Sequence, residues 1–89
     1  MPQVVMYSTA ICPYCVRAKH LLENKGVTYE EIRIDHDREI MQEMMRRSNR
    51  HTVPQIFIDD FHVGGYDDLA SMEISGQLNQ LLGIADDEL

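Results

Sequence analysis

Two cysteines, Cys12 and Cys15, are separated by two residues and follow closely behind a short apolar segment, residues 4–7. Pro13 lies directly after the first cysteine, and proline is favoured at the first position of a helix because its missing N–H has no partner there. The pattern predicts a buried strand, then a short loop, then a helix that begins at Pro13. Any fold for this chain must therefore place the cysteine pair at the start of a helix.

Three interpretations of the cysteine pair differ in the surroundings that they require. A structural disulfide closing so short a loop stabilises a fold by only about 2 kcal/mol. A structural zinc site needs four ligands, usually with a second pair at its own fixed spacing. The histidines do not offer such a pair, since they lie at positions 20, 36, 51 and 62. A redox-active pair is favoured if the cysteines lie within a βαβ unit.

The sequence around the cysteines predicts such a unit. The helix should run to about Lys25, and Gly26 is the expected left-handed residue that ends it. Residues 29–34 then form a second strand, with Ile32 and Ile34 on one face. Strands joined by a helix in this way are parallel, and their crossover is right-handed. The buried side of the helix should carry three residues: Cys15, Ala18 and Leu22.

The second half of the chain reads as a helix, a hairpin and two further helices. Asp37 can cap a helix that ends near residues 48–49. Its apolar stripe consists of Ile40, Met41, Met44 and Met45. Residues 55–58 and 61–63 form the hairpin, which Gly64 and Gly65 end. Asp67 or Asp68 should cap a third helix, and Gly83 should end a short fourth one.

Length and charge narrow the class of protein. With 89 residues, we expect a single domain over residues 1–89 with a short acidic tail from about residue 83. The net charge of −7 excludes an overall basic surface for nucleic acid, although all eight Lys and Arg residues lie between positions 17 and 50. No apolar run approaches the ~20 residues that span a membrane, and residues 1–8 do not form a secretory signal. We expect a cytoplasmic monomer.

Three motifs together resemble one known family. Cys-Pro-Tyr-Cys occupies residues 12–15, Thr-Val-Pro residues 52–54 and Gly-Gly-Tyr-Asp-Asp residues 64–68. In this order and spacing they are similar to those of the dithiol glutaredoxins of the short bacterial type, over about residues 4–82. The resemblance implies a thioredoxin-like α/β fold with a four-stranded mixed sheet in the order 2-1-3-4 and helices on both faces. It also implies glutathione-dependent reduction of protein disulfides and of protein–glutathione mixed disulfides.

The positions of the cysteines suggest their roles. Cys12 lies just before the helix, where unpaired backbone N–H groups and the helix dipole stabilise a thiolate. We therefore expect Cys12 to be the nucleophile. Cys15 lies one turn further, on the buried side, and is the expected resolving thiol. Pro13 stiffens the loop between them.

The resemblance also implies a set of residues that bind glutathione as co-substrate, with no tightly bound cofactor and no metal. These residues are Tyr14, Thr52, Val53, Pro54, Gly65, Asp67 and Asp68. Although an X–Pro bond is usually trans, the resemblance implies a cis bond before Pro54. Many relatives carry a lysine three residues before the first cysteine, where this chain has Thr9. We expect an arginine to take its place at the glycine carboxylate of glutathione, with Arg38 and Arg50 as candidates.

Other functions remain as alternatives. Some glutaredoxins carry an iron–sulfur cluster between two subunits, held by the first cysteine and glutathione, although Pro13 argues against this. A redoxin recharged by thioredoxin reductase would use the same dithiol without glutathione. A redox-inert binding module is the weakest alternative, since it gives no reason for a cysteine at a helix N-terminus.

Overall fold

The structure is a computed structural model that describes residues 2–84. In chain order its elements are β1 (Val4–Ser8), α1 (Pro13–Asn24), β2 (Glu30–Arg33), α2 (Arg38–Ser48), β3 (Gln55–Ile58), β4 (Phe61–Gly64), α3 (Tyr66–Ser75) and α4 (Gln77–Leu82). None of the helices in this described part is long and apolar enough to cross a membrane. The acidic residues of the predicted tail, 86–88, lie outside the described residues, and the single-domain boundary stays a prediction.

The four strands form one mixed sheet in the order β2-β1-β3-β4. Strand β1 runs parallel to β2 and antiparallel to β3, and β3 pairs with β4 as a hairpin. The parallel pair is joined through α1, so the predicted βαβ unit is confirmed. The observed strand order is also the one that the resemblance implied.

Alternation along β1 divides the core between the two faces of the sheet. Val4 and Met6 pack on one face in a cluster with residues of α1, α3 and α4, among them Leu22, Leu69 and Leu78. Tyr7 points to the other face. There it packs in a second cluster together with Ile34, Met44 and Phe57. Helices therefore cover both faces, as expected.

The prediction that four apolar residues of α2 face the core is wrong for two of them. Met44 is fully buried, but Met41 and Met45 are 39% and 40% exposed. The Arg47 guanidinium lies over Phe57, with its carbon 4.1 Å from the ring centroid. An arginine of α2 thus packs on the aromatic ring, while two of the predicted methionines remain partly exposed.

Helix boundaries follow the capping predictions except at α3. Asp37 caps α2, since its Oδ1 accepts hydrogen bonds from Glu39 N and Ile40 N. The prediction that Asp67 or Asp68 is the N-cap of α3 is wrong, because Gly65 holds that position. The turn at Gly64 and Gly65 is tight enough for the helix to begin at once, and this places both aspartates in its first turn.

Candidate active site

The cysteine pair lies at the N-terminus of α1, and the two residues differ in exposure. Cys12 is the N-cap residue and is half-buried, whereas Cys15, in the first turn, is 1% exposed. They form a disulfide, with their Cα atoms 5.2 Å apart. An incoming molecule can therefore reach the Cys12 sulfur but not the Cys15 sulfur.

A backbone N–H group of helix α1 contacts the Cys12 sulfur. The Cys15 N–H donates a hydrogen bond to Cys12 Sγ at 3.1 Å. The first turn of α1, which lies wholly within the described residues, contains no acidic side chain. A negative charge on this sulfur is therefore met by the positive end of the helix and by a hydrogen-bond donor.

The Thr-Val-Pro motif lies directly against the cysteine pair. The Val53–Pro54 peptide bond is cis, as the resemblance implied and against the usual preference. The carbonyl oxygen of Val53 lies 3.8 Å from Cys12 Sγ. Two motifs that are about forty residues apart in sequence thus form one surface around the exposed sulfur.

A cleft of about 270 Å³ extends from this surface. Its lining residues are Tyr14, Arg50, Thr52, Val53, Pro54, Gly65, Tyr66, Asp67 and Asp68. The structure thus brings together all seven residues that were predicted to bind glutathione, along with Arg50. Arg38, the other arginine that was considered, begins α2 and lies outside this set.

The two aspartates of the cleft have different surroundings. Asp68 Oδ2 accepts a hydrogen bond from Gly65 N at 2.9 Å and pairs with Arg50 Nη1 at 3.1 Å. The Gly65 N–H and then Arg50 lower the pKa of Asp68, against an opposing effect of burial. Asp67 is exposed in the first turn of α3. The carboxylate of Asp68 thus stabilises the turn, and that of Asp67 faces the solvent.

Gly64 is the residue that makes this turn possible. Its φ is +116°, in a region that side chains rarely adopt, and a Cβ atom there would collide with the Asp68 carboxylate. Gly65 has an ordinary φ of −89°, and a Cβ atom there would lie 3.6 Å from Pro54 O. The close approach in this glycine pair is therefore the one between Gly64 and the Asp68 carboxylate.

Comparison with known proteins agrees with this geometry. A family model described as "Glutaredoxin" matches residues 4–63, which are 60 of the 89 residues. The chain belongs to the glutaredoxin family. Proteins of this family are glutathione-dependent thiol-disulfide oxidoreductases, and in this glutaredoxin Cys12 and Cys15 supply the dithiol.

Individual relatives cover almost the whole chain. A glutaredoxin from Pseudomonas aeruginosa is 52% identical over 92% of this chain and 98% of its own length. Glutaredoxin 3 from Escherichia coli is 50% identical over 92% of this chain and 99% of its own length. The crystal structure of a buckwheat glutaredoxin–glutathione complex superimposes with a TM-score of 0.85 at 30% identity, covering 94% of this chain and 83% of the other.

Two aromatic residues form one wall of the glutaredoxin cleft. The rings of Tyr14 and Tyr66 stack with their centroids 6.2 Å apart and an interplanar angle of 28°. The Arg17 guanidinium carbon lies 5.3 Å from the centroid of the Tyr14 ring. The sequence motifs did not indicate the contact between Tyr66 and Tyr14.

The loop that carries Thr9 is held by an acidic residue. Ala10 N donates a hydrogen bond to Asp35 Oδ2 at 3.1 Å, and Arg33 pairs with the same carboxylate oxygen at 2.6 Å. Arg33 and the Ala10 N–H lower the pKa of Asp35, against an opposing effect of desolvation. Arg33, which lies opposite Ser8 in the sheet, is thus already paired with Asp35. Within residues 2–84, no group of three or more His, Cys, Asp or Glu side chains is arranged as a metal site.

Acid should loosen the turn before α3 through Asp68. Since folding lowers the pKa of this carboxyl, its stabilising contribution is fully present above about pH 5 and is lost as pH falls through the folded pKa, below 3.8. An Asp68→Asn variant keeps a neutral acceptor for Gly65 N but does not titrate. Its free energy of unfolding should therefore fall less steeply between pH 5 and pH 2 than that of the wild type, as followed by urea denaturation. Parallel curves would show that Asp68 does not contribute.

Proposed function

We propose that this glutaredoxin removes glutathione from protein–glutathione mixed disulfides by attack of the Cys12 thiolate. The observation that carries the proposal is the position of the half-buried Cys12 sulfur at the α1 N-terminus, 3.8 Å from the carbonyl oxygen of Val53, a residue that lines the cleft. The thiolate attacks the glutathione sulfur, the S–S bond breaks, and the protein thiolate leaves. Cys12 then carries the glutathione. A second glutathione thiolate attacks the sulfur of that glutathione, which yields glutathione disulfide and restores the Cys12 thiolate.

The cleft offers groups for each part of glutathione. The backbone N–H and C=O of Val53 can pair with its cysteinyl residue as a neighbouring strand would. The first turn of α3 presents free N–H groups to the γ-glutamyl carboxylate, and the exposed Asp67 can accept from its ammonium group. Tyr14 and Pro54 complete the walls. Thr52 and Gly65 shape the two loops that face each other across the cleft.

Arg50 supplies positive charge at this end of the cleft. It lies beside Asp68, next to the α3 N-terminus to which we assign the γ-glutamyl group. This position favours a role at the γ-glutamyl carboxylate, in place of the glycine carboxylate that the sequence suggested. A contact between Arg38 and the glycine carboxylate of glutathione stays a prediction.

An Arg50→Ala variant tests this assignment. Loss of one charge-assisted contact at a partly exposed site should raise KM for a glutathionylated peptide about fivefold and leave kcat nearly unchanged. Steady-state kinetics measure both constants, with Arg46→Ala, an exposed residue of α2 that does not line the cleft, as the matched control. Arg38→Ala tests the predicted contact with the glycine carboxylate in the same assay. If the Arg50 and Arg38 variants both retain the KM of the wild type, neither arginine binds a carboxylate of glutathione.

Protein disulfides are the second substrate class that we propose. Cys12 forms a mixed disulfide with the target, and the buried Cys15 thiolate then attacks Cys12 Sγ and releases the reduced target. Two glutathione molecules reduce the resulting Cys12–Cys15 disulfide. Such a cycle needs a reducing compartment, so we place the protein in the cytoplasm. We expect it to act as a monomer, with glutathione and disulfide-containing or glutathionylated proteins as its partners.

The electron donor distinguishes this function from its alternatives. The wild-type protein should reduce a glutathionylated peptide with glutathione, glutathione reductase and NADPH, as followed by loss of NADPH absorbance. Thioredoxin reductase in place of the glutathione system should support little activity. The reverse result would favour the redoxin alternative. Visible absorbance after anaerobic purification would favour a cluster carrier.

A further inference from the structure

Gln55 is a buried polar residue that lies just after the Thr-Val-Pro motif. It begins β3 and has no exposed surface. Its Nε2 donates hydrogen bonds to Thr52 O at 3.1 Å and to Thr52 Oγ1 at 3.3 Å. A buried amide needs such partners, because an unpaired polar group in the interior has lost its hydrogen bonds to water without replacement. The side chain thus closes the loop that runs from Thr52 through Val53 and Pro54.

The carbonyl oxygen of Thr52 fixes the orientation of this amide, and that orientation decides the tautomer of His62. The His62 Nε2 lies 2.7 Å from Gln55 Oε1. A carbonyl oxygen such as Thr52 O can only accept, so the nitrogen of the Gln55 amide must face Thr52. The oxygen therefore faces His62, which must donate through an Nε2–H. A rotated amide would turn its oxygen towards Thr52 O and place two acceptors together.

The His62 ring is itself held in place. It stacks on Phe57 with ring centroids 4.8 Å apart and an interplanar angle of 27°. Burial and then the charge of Arg50 lower the pKa of His62, while Asp68 opposes them and Arg47 adds to them. A neutral imidazole with its proton on Nε2 supplies the donor that Gln55 needs.

We propose that Gln55 and His62 are positioning residues that hold the Thr52–Val53 backbone in register with glutathione. The inference rests on the proposed function, since it concerns how that same cleft binds its substrate. Neither side chain lines the cleft. They act through Thr52, which lines it, and so through Val53, whose carbonyl oxygen lies 3.8 Å from Cys12 Sγ.

This arrangement predicts an effect on binding that is separate from chemistry. Without the two hydrogen bonds to Thr52, the loop can shift and the Val53 N–H and C=O lose their alignment with the cysteinyl part of glutathione. The surroundings of the Cys12 sulfur within α1 do not involve Gln55. KM should therefore rise while kcat stays close to its wild-type value.

Two variants test the proposal. Gln55→Met keeps a similar volume without hydrogen bonds and should raise KM for a glutathionylated peptide about tenfold, with kcat within about twofold. His62→Phe keeps the stacking on Phe57 but removes the donor, and it should raise KM about threefold. Matched controls are Gln80→Met and His20→Phe, which change exposed residues on α4 and α1 and should leave KM unchanged. Backbone amide chemical shifts should move at Thr52 and Val53 in the two test variants only.

The possible outcomes distinguish a positioning role of Gln55 and His62 from a purely structural one. If both test variants fold and unfold at a lower temperature but keep the wild-type KM and amide shifts, the two residues only stabilise the fold and the proposal is overturned. A fall in kcat at constant KM would overturn it as well. If Gln55→Met does not fold, the result for His62→Phe decides alone. If the wild type is inactive with glutathione, the proposed function fails, and the amide shifts still decide whether Gln55 and His62 position the loop.

Discussion

Replacing Cys12 by serine should abolish reduction of glutathionylated peptides, with a loss of at least about 10³-fold in kcat/KM. A serine hydroxyl is not ionised near neutral pH and cannot form a mixed disulfide, so both displacement steps are lost. Cys15→Ser should retain this activity, because the cycle through glutathionylated Cys12 does not use the buried sulfur. The glutathione-coupled assay measures both variants.

Activity towards the two substrate classes should distinguish the roles of the two cysteines. Cys15→Ser should lose reduction of a protein disulfide, since the mixed disulfide with the target has no internal thiol to resolve it. Mass spectrometry should then find Cys12 of this variant joined to the target or to glutathione. Retention of activity by Cys12→Ser would contradict the assignment. Equal loss in both variants with a glutathionylated peptide would show that this cycle needs the pair.

Gly64→Ala should produce the largest loss of stability among the glycine substitutions considered. The φ of +116° is unfavourable for alanine, and the new Cβ atom would displace the Asp68 carboxylate from Gly65 N and Arg50. We expect the free energy of unfolding to fall by about 3 kcal/mol or more, as measured by urea denaturation. KM for glutathionylated peptides should rise as well, because the α3 N-terminus moves with the turn.

Gly26→Ala is the matched control for this prediction. Gly26 also has a positive φ, +73°, but a Cβ atom there meets nothing within 4 Å. The free energy of unfolding of the Gly26→Ala variant should fall by only about 1–2 kcal/mol, the cost of a left-handed backbone for alanine, and its KM should not change. Equal effects of the two substitutions would show that the contact with Asp68 contributes nothing.

Much of the site could be predicted because its residues lie in short, contiguous motifs. Pro13 after Cys12 identifies a helix start. This position alone predicts that the Cys12 sulfur is accessible and that the Cys15 sulfur, one turn later, is buried. The apolar and polar patterns identify the strands and helices, as confirmed by the βαβ unit and the hairpin. The strand order and the cis bond before Pro54 came from the family resemblance, since local preference favours a trans bond.

The predictions that failed concern residues whose surroundings depend on how the elements turn and pack. Met41 and Met45 fit a helical stripe, but Arg47 covers the neighbouring surface of Phe57. Asp68 fits an N-cap, but the sharp turn at Gly64 moves the helix start ahead of it. Tyr66 and His62 were not assigned a contact at all. Their partners, Tyr14 and Gln55, are 52 and 7 residues away in sequence.

Local sequence patterns establish which chemistry is available here: two thiols a helical turn apart, with the first at a helix N-terminus. That follows from local rules, because helix capping and the spacing of residues along a helix need no distant partner. What surrounds the reactive sulfur depends on the tertiary structure. The Val53 carbonyl, the Asp68–Arg50 pair and the Gln55–His62 hydrogen bond all arise where separate segments of the chain meet in the fold. A side chain's partners there depend on packing in three dimensions, and spacing along the chain does not record them.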